Sequence, residues 1–352
     1  MYRVRVSYKD IDGEFKVRER KVYGLQAAKE AERELSNMPA RDGITLNELI
    51  ELFRRSRKGQ VRETTAAKSD SYLNNYVVPK LGGKRVDSLS LTKLLEWKND
   101  LGETTLSVTT KNNIYAAFSA VLNFGVKLEL IPKNNLKSLG RFKDALESPE
   151  NSRFRYYTAA QFKQYMSVVP LNSFVDSACY TFFMIAFYTG ARKGEINALK
   201  WSDIEGNVLH IRRSVAQQIT GKRCVETPPK TKSSYRDIMM PTALVECLDR
   251  HKKLSQTFNG YSEDWRVCGG PDILSDNMLF CRNCQNAKAA GLPRITIHEF
   301  RHSHATLLIN AGINIKEISR RLGHSKVEMT WEVYSHLYPD QELRVLEVLN
   351  NI

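Results

Sequence analysis

The sequence predicts a multidomain protein that is mainly α-helical and carries small β-sheets. Its 352 residues exceed the roughly 100 to 200 residues of a typical single domain. Apolar residues make up 42% of the chain and charged residues 26%, a composition that indicates a folded protein and excludes a disordered or collagen-like one. Helical periodicity dominates, because strand patterns occupy only the first 22 residues and two short stretches of the last 200.

The first predicted domain is a small ββα module with a linker, residues 1–42. Residues 2–8 and 15–22 alternate in type, and Asp12-Gly13 between them is typical of a hairpin turn. Residues 25–38 are rich in helix-forming side chains and end where a proline and a glycine break the pattern. A unit of this size is too small to be robust alone.

The strands of this module carry many cations. Alternation assigns Arg3 and Arg5 to one face of the first strand, and the second strand adds Lys16, Arg18 and Arg20. These residues indicate a basic sheet face that could lie in a DNA groove. A solvated polar surface explains the same residues, and the sequence leaves both interpretations open.

The second predicted domain, residues 43–150, is wholly α-helical. Four apolar residues with helical spacing open it, and three more helices follow, punctuated by Pro79 and by glycines. The four residues are Leu46, Leu49, Ile50 and Phe53; the later helices are predicted at 71–78, 89–101 and 108–130. A polar segment that contains a proline, residues 147–152, marks the boundary to the next domain.

The third predicted domain, residues 151–352, mixes helices and strands. Thr158 is a suitable N-cap for a helix over 159–169, and residues 174–187 are apolar enough for a buried helix. Strands are predicted at 208–213 and 235–240. The remainder is mostly helical, so this domain should combine helices with a small sheet.

The net charge of the chain indicates which class of molecule it binds. The formal net charge is +14 and the pI is about 9.4, and each of the three predicted domains has more Lys and Arg than Asp and Glu. A polyanion such as DNA, RNA or an anionic membrane is therefore the expected partner, although a generally basic solvated surface would give the same composition. No run of about 18 apolar residues and no secretory signal occurs, so we expect a cytosolic protein that does not cross a membrane.

The six cysteines do not indicate a disulfide scaffold, and a reducing compartment is the simpler expectation. Cys281 and Cys284 have the C-x-x-C spacing of zinc sites, with Cys268 upstream. A structural zinc ion needs four ligands, and no second pair lies at a matching distance. We therefore predict no metal site.

Short segments of the third domain combine cations and histidines. Residues 189–195 are TGARKGE, in which Gly190 permits a tight turn and Arg192 begins the next helix. Residues 298–304 are HEFRHSH, and His298 and Arg301 share one helical face. The others are Lys230-Thr-Lys232, Leu322-Gly323-His324, and Tyr334 ten residues after that histidine. Taken singly, each has an ordinary explanation as an ion pair or a packed side chain.

Together, and in this order, these motifs resemble the tyrosine recombinase family, the phage-type and conjugative-transposon integrases. The resemblance covers residues 158–338. More weakly, residues 43–145 are similar to the family's core-DNA-binding domain and residues 1–38 to its arm-DNA-binding domain. That arm domain usually has one further strand before the segment matching residues 2–8, so whether the module is complete here stays open.

The resemblance implies a phosphoryl-transfer site. Tyr334 would be the nucleophile, forming a 3′-phosphotyrosine and freeing a 5′-hydroxyl, and the covalent link would make rejoining independent of any nucleotide cofactor. Two arginines, Arg192 and Arg301, can each present paired N–H donors to the phosphate oxygens. The sequence has no Walker motif and no carboxylate cluster for paired metals, so we predict no cofactor.

The resemblance also implies roles for the remaining polar residues. Lys230 would be the general acid to the leaving oxygen, and it is preferred to Lys232 because the family's lysine is often followed by threonine; the two are not separated. His298 would help proton transfer at the tyrosine, His324 would donate to a nonbridging oxygen, and Glu195 would orient its neighbours. Packing or supporting roles are expected for His302, His304, His336 and Tyr338.

The sequence therefore predicts a site-specific DNA recombinase that integrates or excises a mobile element in the bacterial cytosol. By analogy with the family, four protomers would act on double-stranded DNA through a Holliday junction, with a small excision factor as a possible helper. Two alternatives remain: a DNA-binding protein with a degenerate recombinase fold that does not cut, and a type IB topoisomerase that relaxes supercoils.

Overall fold

The computed structural model describes residues 1–9, 15–37, 44–143, 155–219, 222–227, 234–335, 346 and 349–350. The chain forms two compact units, Met1–Asn151 and Ser152–Ile352. Within the described ranges, no helix is both long enough and apolar enough to cross a membrane. The prediction of a mainly helical chain with small sheets is confirmed.

The first unit begins with the expected ββα arrangement. Strands β1 (Tyr2–Lys9) and β2 (Phe15–Val22) pair in antiparallel fashion, and helix α1 (Leu25–Asn37) follows. The register opposes Arg5 to Glu19 and Val6 to Arg18.

This register overturns the prediction of a single basic face. Directly opposed residues of an antiparallel pair share a face, so Arg3 and Arg5 lie on the face opposite that of Arg18 and Arg20. On the first face, Arg3 and Arg5 both contact Glu19. Alternation fixes the two faces of each strand, but only the register decides which faces coincide.

The rest of the first unit is all α-helical. Its helices are α2 (Leu46–Arg57), α3 (Glu63–Tyr76), α4 (Val78–Leu81), α5 (Leu91–Gly102) and α6 (Val108–Lys127), with 3₁₀ turns at Val86–Ser88 and Asn135–Leu139.

Two local signals explain this domain. Thr45 and Glu48 form a reciprocal capping box at the start of α2, and the four predicted apolar residues of that helix are all buried. Helix α3 ends at Tyr76, two residues before the predicted end, and Pro79 lies in the first turn of the short α4, where a missing N–H leaves no helical bond unmade. Helix α3 begins at Glu63, earlier than predicted.

The second unit contains α7 (Ala159–Ser167), α8 (Phe174–Thr189), α9 (Lys193–Ala198), β3 (Ile204–Glu205), β4 (Val208–Ile211), β5 (Ser214–Ile219), β6 (Lys222–Thr227), β7 (Arg236–Met239), α10 (Thr242–Gln256), α11 (Asp276–Ala289), α12 (Ile297–Asn310), α13 (Ile315–Leu322) and α14 (Glu328–Tyr334). A 3₁₀ turn lies at Trp201–Asp203. Thr158 caps α7 with the side chain of Gln161, as its position predicted.

Two small sheets accompany these helices. The predicted strands become β4 and β7, which pair in antiparallel fashion with Val208 opposite Met239 and Ile211 opposite Arg236. Strand β3 joins the other edge of β4. Strands β5 and β6, which lie between β4 and β7 in the sequence, pair with each other in a separate antiparallel sheet. The sequence did not predict this second sheet.

The core of the second unit surrounds α8, which packs against α10 and α12. Phe300 of α12 is completely buried, and its ring lies 5.4 Å, centroid to centroid, from that of Phe183 of α8. Because this aromatic contact fixes α12 against α8, the residues that follow α8 and the polar residues of α12 are held near one another. A smaller apolar cluster joins α12, α13 and α14 through Ala305, Ile309, Ile318, Leu322 and Tyr334.

Candidate active site

The turn after α8 carries the first site residue. Gly190 ends α8 in the left-handed region, with φ of +63°, and a Cβ there would lie 2.8 Å from side-chain atoms of both His304 and Leu322. The Thr189 hydroxyl accepts a hydrogen bond from the Ala191 amide at 3.1 Å. This tight turn places Arg192 at the N-cap of α9, as predicted.

Glu195 bridges two arginines. Its carboxylate accepts hydrogen bonds from the Arg192 amide at 2.9 Å, from Arg192 Nη1 at 3.1 Å, and from Arg236 Nη1 and Nη2 at 3.2 and 2.8 Å. Burial opposes ionisation, but the hydrogen bonds and charges of Arg236 and Arg192 outweigh it and hold the pKa of Glu195 below its usual value. Arg192 keeps 38% of its side chain exposed, so its guanidinium is accessible to a ligand.

Arg301 is only 2% exposed and its hydrogen-bond partners are neutral. Nη1 donates to the Gly190 carbonyl at 2.8 Å, and Nη2 lies 2.7 Å from His324 Nε2. Burial, and then the charges of Arg192 and Arg236, lower the pKa of Arg301 to about 9. A buried guanidinium surrounded by other cations stabilises an anion that enters the site, because the anion supplies the missing countercharge.

The bonds of His324 define its tautomer. Since a guanidinium can only donate, Nε2 accepts from Arg301, and Nδ1 carries the proton that it donates to Thr330 Oγ1 at 2.7 Å. Burial, and then the charge of Arg301, lower the pKa of His324 to about 4. The imidazole is therefore neutral at pH 7, and both of its nitrogens are engaged within the protein.

His298 lies at the surface at the start of α12. Partial desolvation of its ring, followed by the charges of Arg301 and Arg192, lowers its pKa below the usual value. The ring meets that of His302 edge-on, with centroids 4.8 Å apart.

Tyr334 ends α14 and is 1% exposed. Its Oη lies 2.7 Å from His302 Nδ1, and the two ring centroids are 5.5 Å apart. Burial raises the pKa of Tyr334 to about 12, and the charge of Arg301 partly opposes this rise. Burial also lowers the pKa of His302 to about 4, assisted by His298.

The structure brings together five of the predicted site residues, namely Arg192, His298, Arg301, His324 and Tyr334. Arg301 contacts His324 directly and acts electrostatically on the other three. Lys230 and Lys232 lie outside the described residues, as do His336 and Tyr338. The choice between the two lysines therefore stays a prediction.

Two residues at this site have contacts that the sequence analysis did not anticipate. His302, expected only to pack or support, contacts the phenol of Tyr334. Arg236 holds Glu195, and a signal for this existed: in the alternating strand Arg236 shares the inward face with buried Ile238. His304 is buried, donates from Nδ1 to the Phe187 carbonyl and accepts from Arg321, which agrees with a packing role.

The cysteines lie in different surroundings. Cys268 is buried, whereas Cys281 is exposed on α11 and Cys284 is partly buried. Across the part of the chain that the structure describes, no group of three or more His, Cys, Asp or Glu residues could hold a metal ion.

Comparison with known proteins places this geometry in context. The profile of the phage integrase family matches residues 156–341, more than half of the chain, and the N-terminal SAM-like domain of phage integrases matches residues 45–111. The ICEBs1 integrase of Bacillus subtilis (strain 168) is 29% identical over 76% of this chain and 72% of its own length.

Two solved structures share the fold. The Tn1549 transposon integrase in complex with a circular intermediate DNA superposes with a TM-score of 0.69 at 24% identity, covering 87% of this chain and 99% of that one. A lambda integrase tetramer bound to a Holliday junction superposes with a TM-score of 0.59 at 17% identity, covering 93% and 91%.

Proposed function

Since this chain belongs to the phage integrase family and is a tyrosine recombinase that cleaves and rejoins DNA, we propose that Tyr334 is its nucleophile and that Arg192 and Arg301 bind the scissile phosphate. The observation that carries this proposal is the position of Arg301, a buried guanidinium with neutral partners that acts electrostatically on both Arg192 and Tyr334. The nearby Glu195 carboxylate is already engaged by Arg192 and Arg236, so the site retains excess positive charge, and a DNA phosphate offsets it.

The two arginines differ in exposure, and we assign them different contacts with the phosphate. Arg192 is partly exposed and can meet a nonbridging oxygen from the open side, whereas Arg301 stabilises the charge that gathers on phosphorus oxygens in the transition state. Glu195 accepts one hydrogen bond from the Arg192 amide and one from Arg192 Nη1, and the second orients the guanidinium before DNA arrives.

The remaining polar residues take up the proton transfers. We assign Lys230, with Lys232 as the alternative, to donate a proton to the departing 5′ oxygen. His324 would donate to a nonbridging oxygen only after Arg301 shifts its Nη2 bond from the imidazole to the phosphate, which releases Nε2 for protonation. His298, at the surface beside these groups, would contact the phosphate or its tyrosine ester.

Recombination requires more than one active site. We assign the active assembly to four copies of this chain on double-stranded DNA, passing through a Holliday junction, in line with the lambda integrase tetramer that shares the fold. The Tn1549 transposon integrase, solved with a circular intermediate DNA, supports a mobile element as the substrate. We further propose integration and excision as the reactions, with a small excision factor as a helper.

The test is covalent capture by a nicked suicide substrate built from the attachment-site repeats that flank the gene. Tyr334→Phe should bind this DNA like the unaltered protein yet form no covalent complex, because it lacks the attacking oxygen. Tyr261→Phe, which removes a hydroxyl that bonds Glu263 and Gln256, is the matched control and should capture DNA normally. Covalent capture by Tyr334→Phe would falsify the assignment.

A further inference from the structure

The phenol of Tyr334 meets a histidine that the sequence analysis placed outside the reaction. His302 Nδ1 lies 2.7 Å from Tyr334 Oη, a short hydrogen bond that joins α12 to α14. The contact is sheltered, because Tyr334 is 1% exposed and His302 is half-buried. A nucleophile and a base at this distance have the geometry that proton abstraction requires.

A second histidine, His298, contacts His302. His298 lies one helical turn before His302 and meets it edge-on at 4.8 Å, so His302 stands between His298 and the phenol ring. The chain of rings runs from the surface histidine through His302 to the tyrosine.

We propose that His302 is a catalytic residue that accepts the phenolic proton of Tyr334 as the phenol oxygen attacks phosphorus. The proposal rests on the proposed function, in which Tyr334 is the nucleophile. It assigns to His302 a role that the resemblance gave to His298.

The proton balance is simple. The Tyr334 Oη–H bond breaks and its proton passes to His302 Nδ1, while Oη forms a bond to phosphorus and the bond from phosphorus to the 5′ oxygen breaks. The leaving oxygen takes a proton from the general acid, assigned above to Lys230 or Lys232. In rejoining, the 5′-hydroxyl attacks phosphorus and gives its proton back to that lysine, while the bond from phosphorus to Oη breaks and His302 returns its proton to the departing phenol oxygen.

The surroundings of His302 keep its imidazole neutral, so that it can accept the phenolic proton. Among the residues that the structure describes, the charged and titratable groups that act on it include His298, Glu299 and Arg301 of its own helix and Tyr334 of α14. Burial and neighbouring cations lower its pKa to about 4, so the ring is neutral before DNA binds. A scissile phosphate offsets the charge of Arg301 and favours the imidazolium, so proton affinity rises when the substrate is in place.

The first experiment separates activation of the nucleophile from protonation of the leaving group. The substrate is a nicked suicide duplex in which sulfur replaces the 5′ bridging oxygen of the scissile phosphate, because a thiolate departs without a proton. His302→Asn keeps a hydrogen-bonding atom near the position of Nδ1 but removes the base. His210→Asn is the matched control, since His210 lies on β4 and contacts Asp237, Glu205 and Arg212, which are not site residues.

We expect His302→Asn to cleave both the oxygen and the sulfur substrates about 10²-fold or more slowly than the unaltered protein, because general base catalysis contributes this much. A variant that has lost the general acid recovers on the sulfur substrate, whereas His302→Asn does not. Cleavage of the sulfur substrate by His302→Asn at the rate of the unaltered protein overturns the proposal.

The pH profile supplies the second measurement. With the sulfur substrate, the rate of the unaltered protein should rise with pH until the imidazole is neutral and then level off. The rate of His302→Asn should keep rising with hydroxide concentration. Identical profiles for the two proteins contradict the proposal.

Chemical rescue distinguishes the loss of a base from a loss of activity caused by a disturbed structure. His302→Ala leaves a gap at the phenol, and added imidazole should restore covalent capture, more strongly for more basic imidazoles. Gel-shift binding of the same DNA reports folding of each variant. If DNA is bound but imidazole restores nothing, His302 is not the acceptor.

Tyr334→Phe on the sulfur substrate keeps the two proposals distinguishable. No capture by Tyr334→Phe together with normal capture by His302→Asn refutes only the role of His302. Capture by Tyr334→Phe refutes the nucleophile itself.

Discussion

Arg236 Nη2 lies 2.8 Å from Glu195 Oε2, and Arg236 Nη1 lies 3.2 Å from Glu195 Oε1, so a buried two-bond ion pair joins β7 to α9. Arg236 also donates from Nε to the carbonyl of Arg321 at 2.8 Å and from Nη1 to that of Ser234 at 3.1 Å. It packs so closely that a Cβ on Gly323 would lie 2.9 Å from its Nη1. One guanidinium therefore connects the start of α9 with the end of α13, just before His324.

Removing Arg236 should destabilise the protein strongly. Arg236→Ala leaves the Glu195 carboxylate buried without its main partner, and we expect a loss of about 3–5 kcal/mol in the free energy of unfolding. Arg212→Ala is the control, because the Arg212 and Asp237 side chains are 37% and 56% exposed and the loss of their pair should cost less than about 1 kcal/mol. Urea unfolding measures both, and equal losses would contradict a special role for the buried pair.

The turn at Gly190 should tolerate no side chain. The left-handed backbone alone should cost Gly190→Ala about 1–2 kcal/mol in the free energy of unfolding. We expect a larger loss, because the new Cβ also meets His304 and Leu322. Gly206→Ala is matched, since Gly206 has a similar φ of +57° and open space around it. Similar thermal shifts for the two variants would show that the contacts at Gly190 do not matter.

Arg301→Lys should separate catalysis from binding. A lysine cannot serve the Gly190 carbonyl, His324 and a phosphate with a planar fork of donors, so covalent capture should fall by about 10²–10³-fold. DNA affinity should change little, because many other cations contribute to it. Arg282→Lys, at the pair with Asp176, serves as the control and should capture DNA normally. Capture by Arg301→Lys near the normal rate would exclude the fork of Arg301 from the reaction.

Buried neutral histidines should make stability depend on pH. Burial lowers the pKa of His251 to about 4 and that of His304 to about 3, below the 6.5 of the unfolded chain. Below pH 6.5 the unfolded chain therefore binds protons that the folded protein excludes, and stability falls as pH falls, until the folded pKa is reached. Each such histidine should contribute up to about 1.4 kcal/mol per pH unit.

The free energy of unfolding of the second unit can be measured by hydrogen exchange of the α8 amides in urea. Comparing its values between pH 7 and pH 5 checks the expected fall. His251→Gln should flatten the dependence, because it removes one of these groups; His251 bonds Ser177 and the Val267 carbonyl, away from the active site. A slope unchanged by His251→Gln would show that this histidine does not titrate as expected.

Much of the molecule followed from local chemistry in the sequence. Apolar spacing predicted the buried face of α2, and Thr158 as an N-cap predicted the start of α7. The order and spacing of the polar motifs predicted the family and its reaction, and the comparisons bear out both. The individual catalytic roles remain predictions.

Only the tertiary structure decided which side chains meet. Strand alternation could not fix the register that separates Arg3 and Arg5 from Arg18 and Arg20. The contact between His302 and Tyr334 spans 32 residues of sequence, and that between Glu195 and Arg236 spans 41. Periodicity and capping act within one helix or strand, whereas these contacts depend on how separate elements pack, and that packing is set by the whole aromatic core around α8.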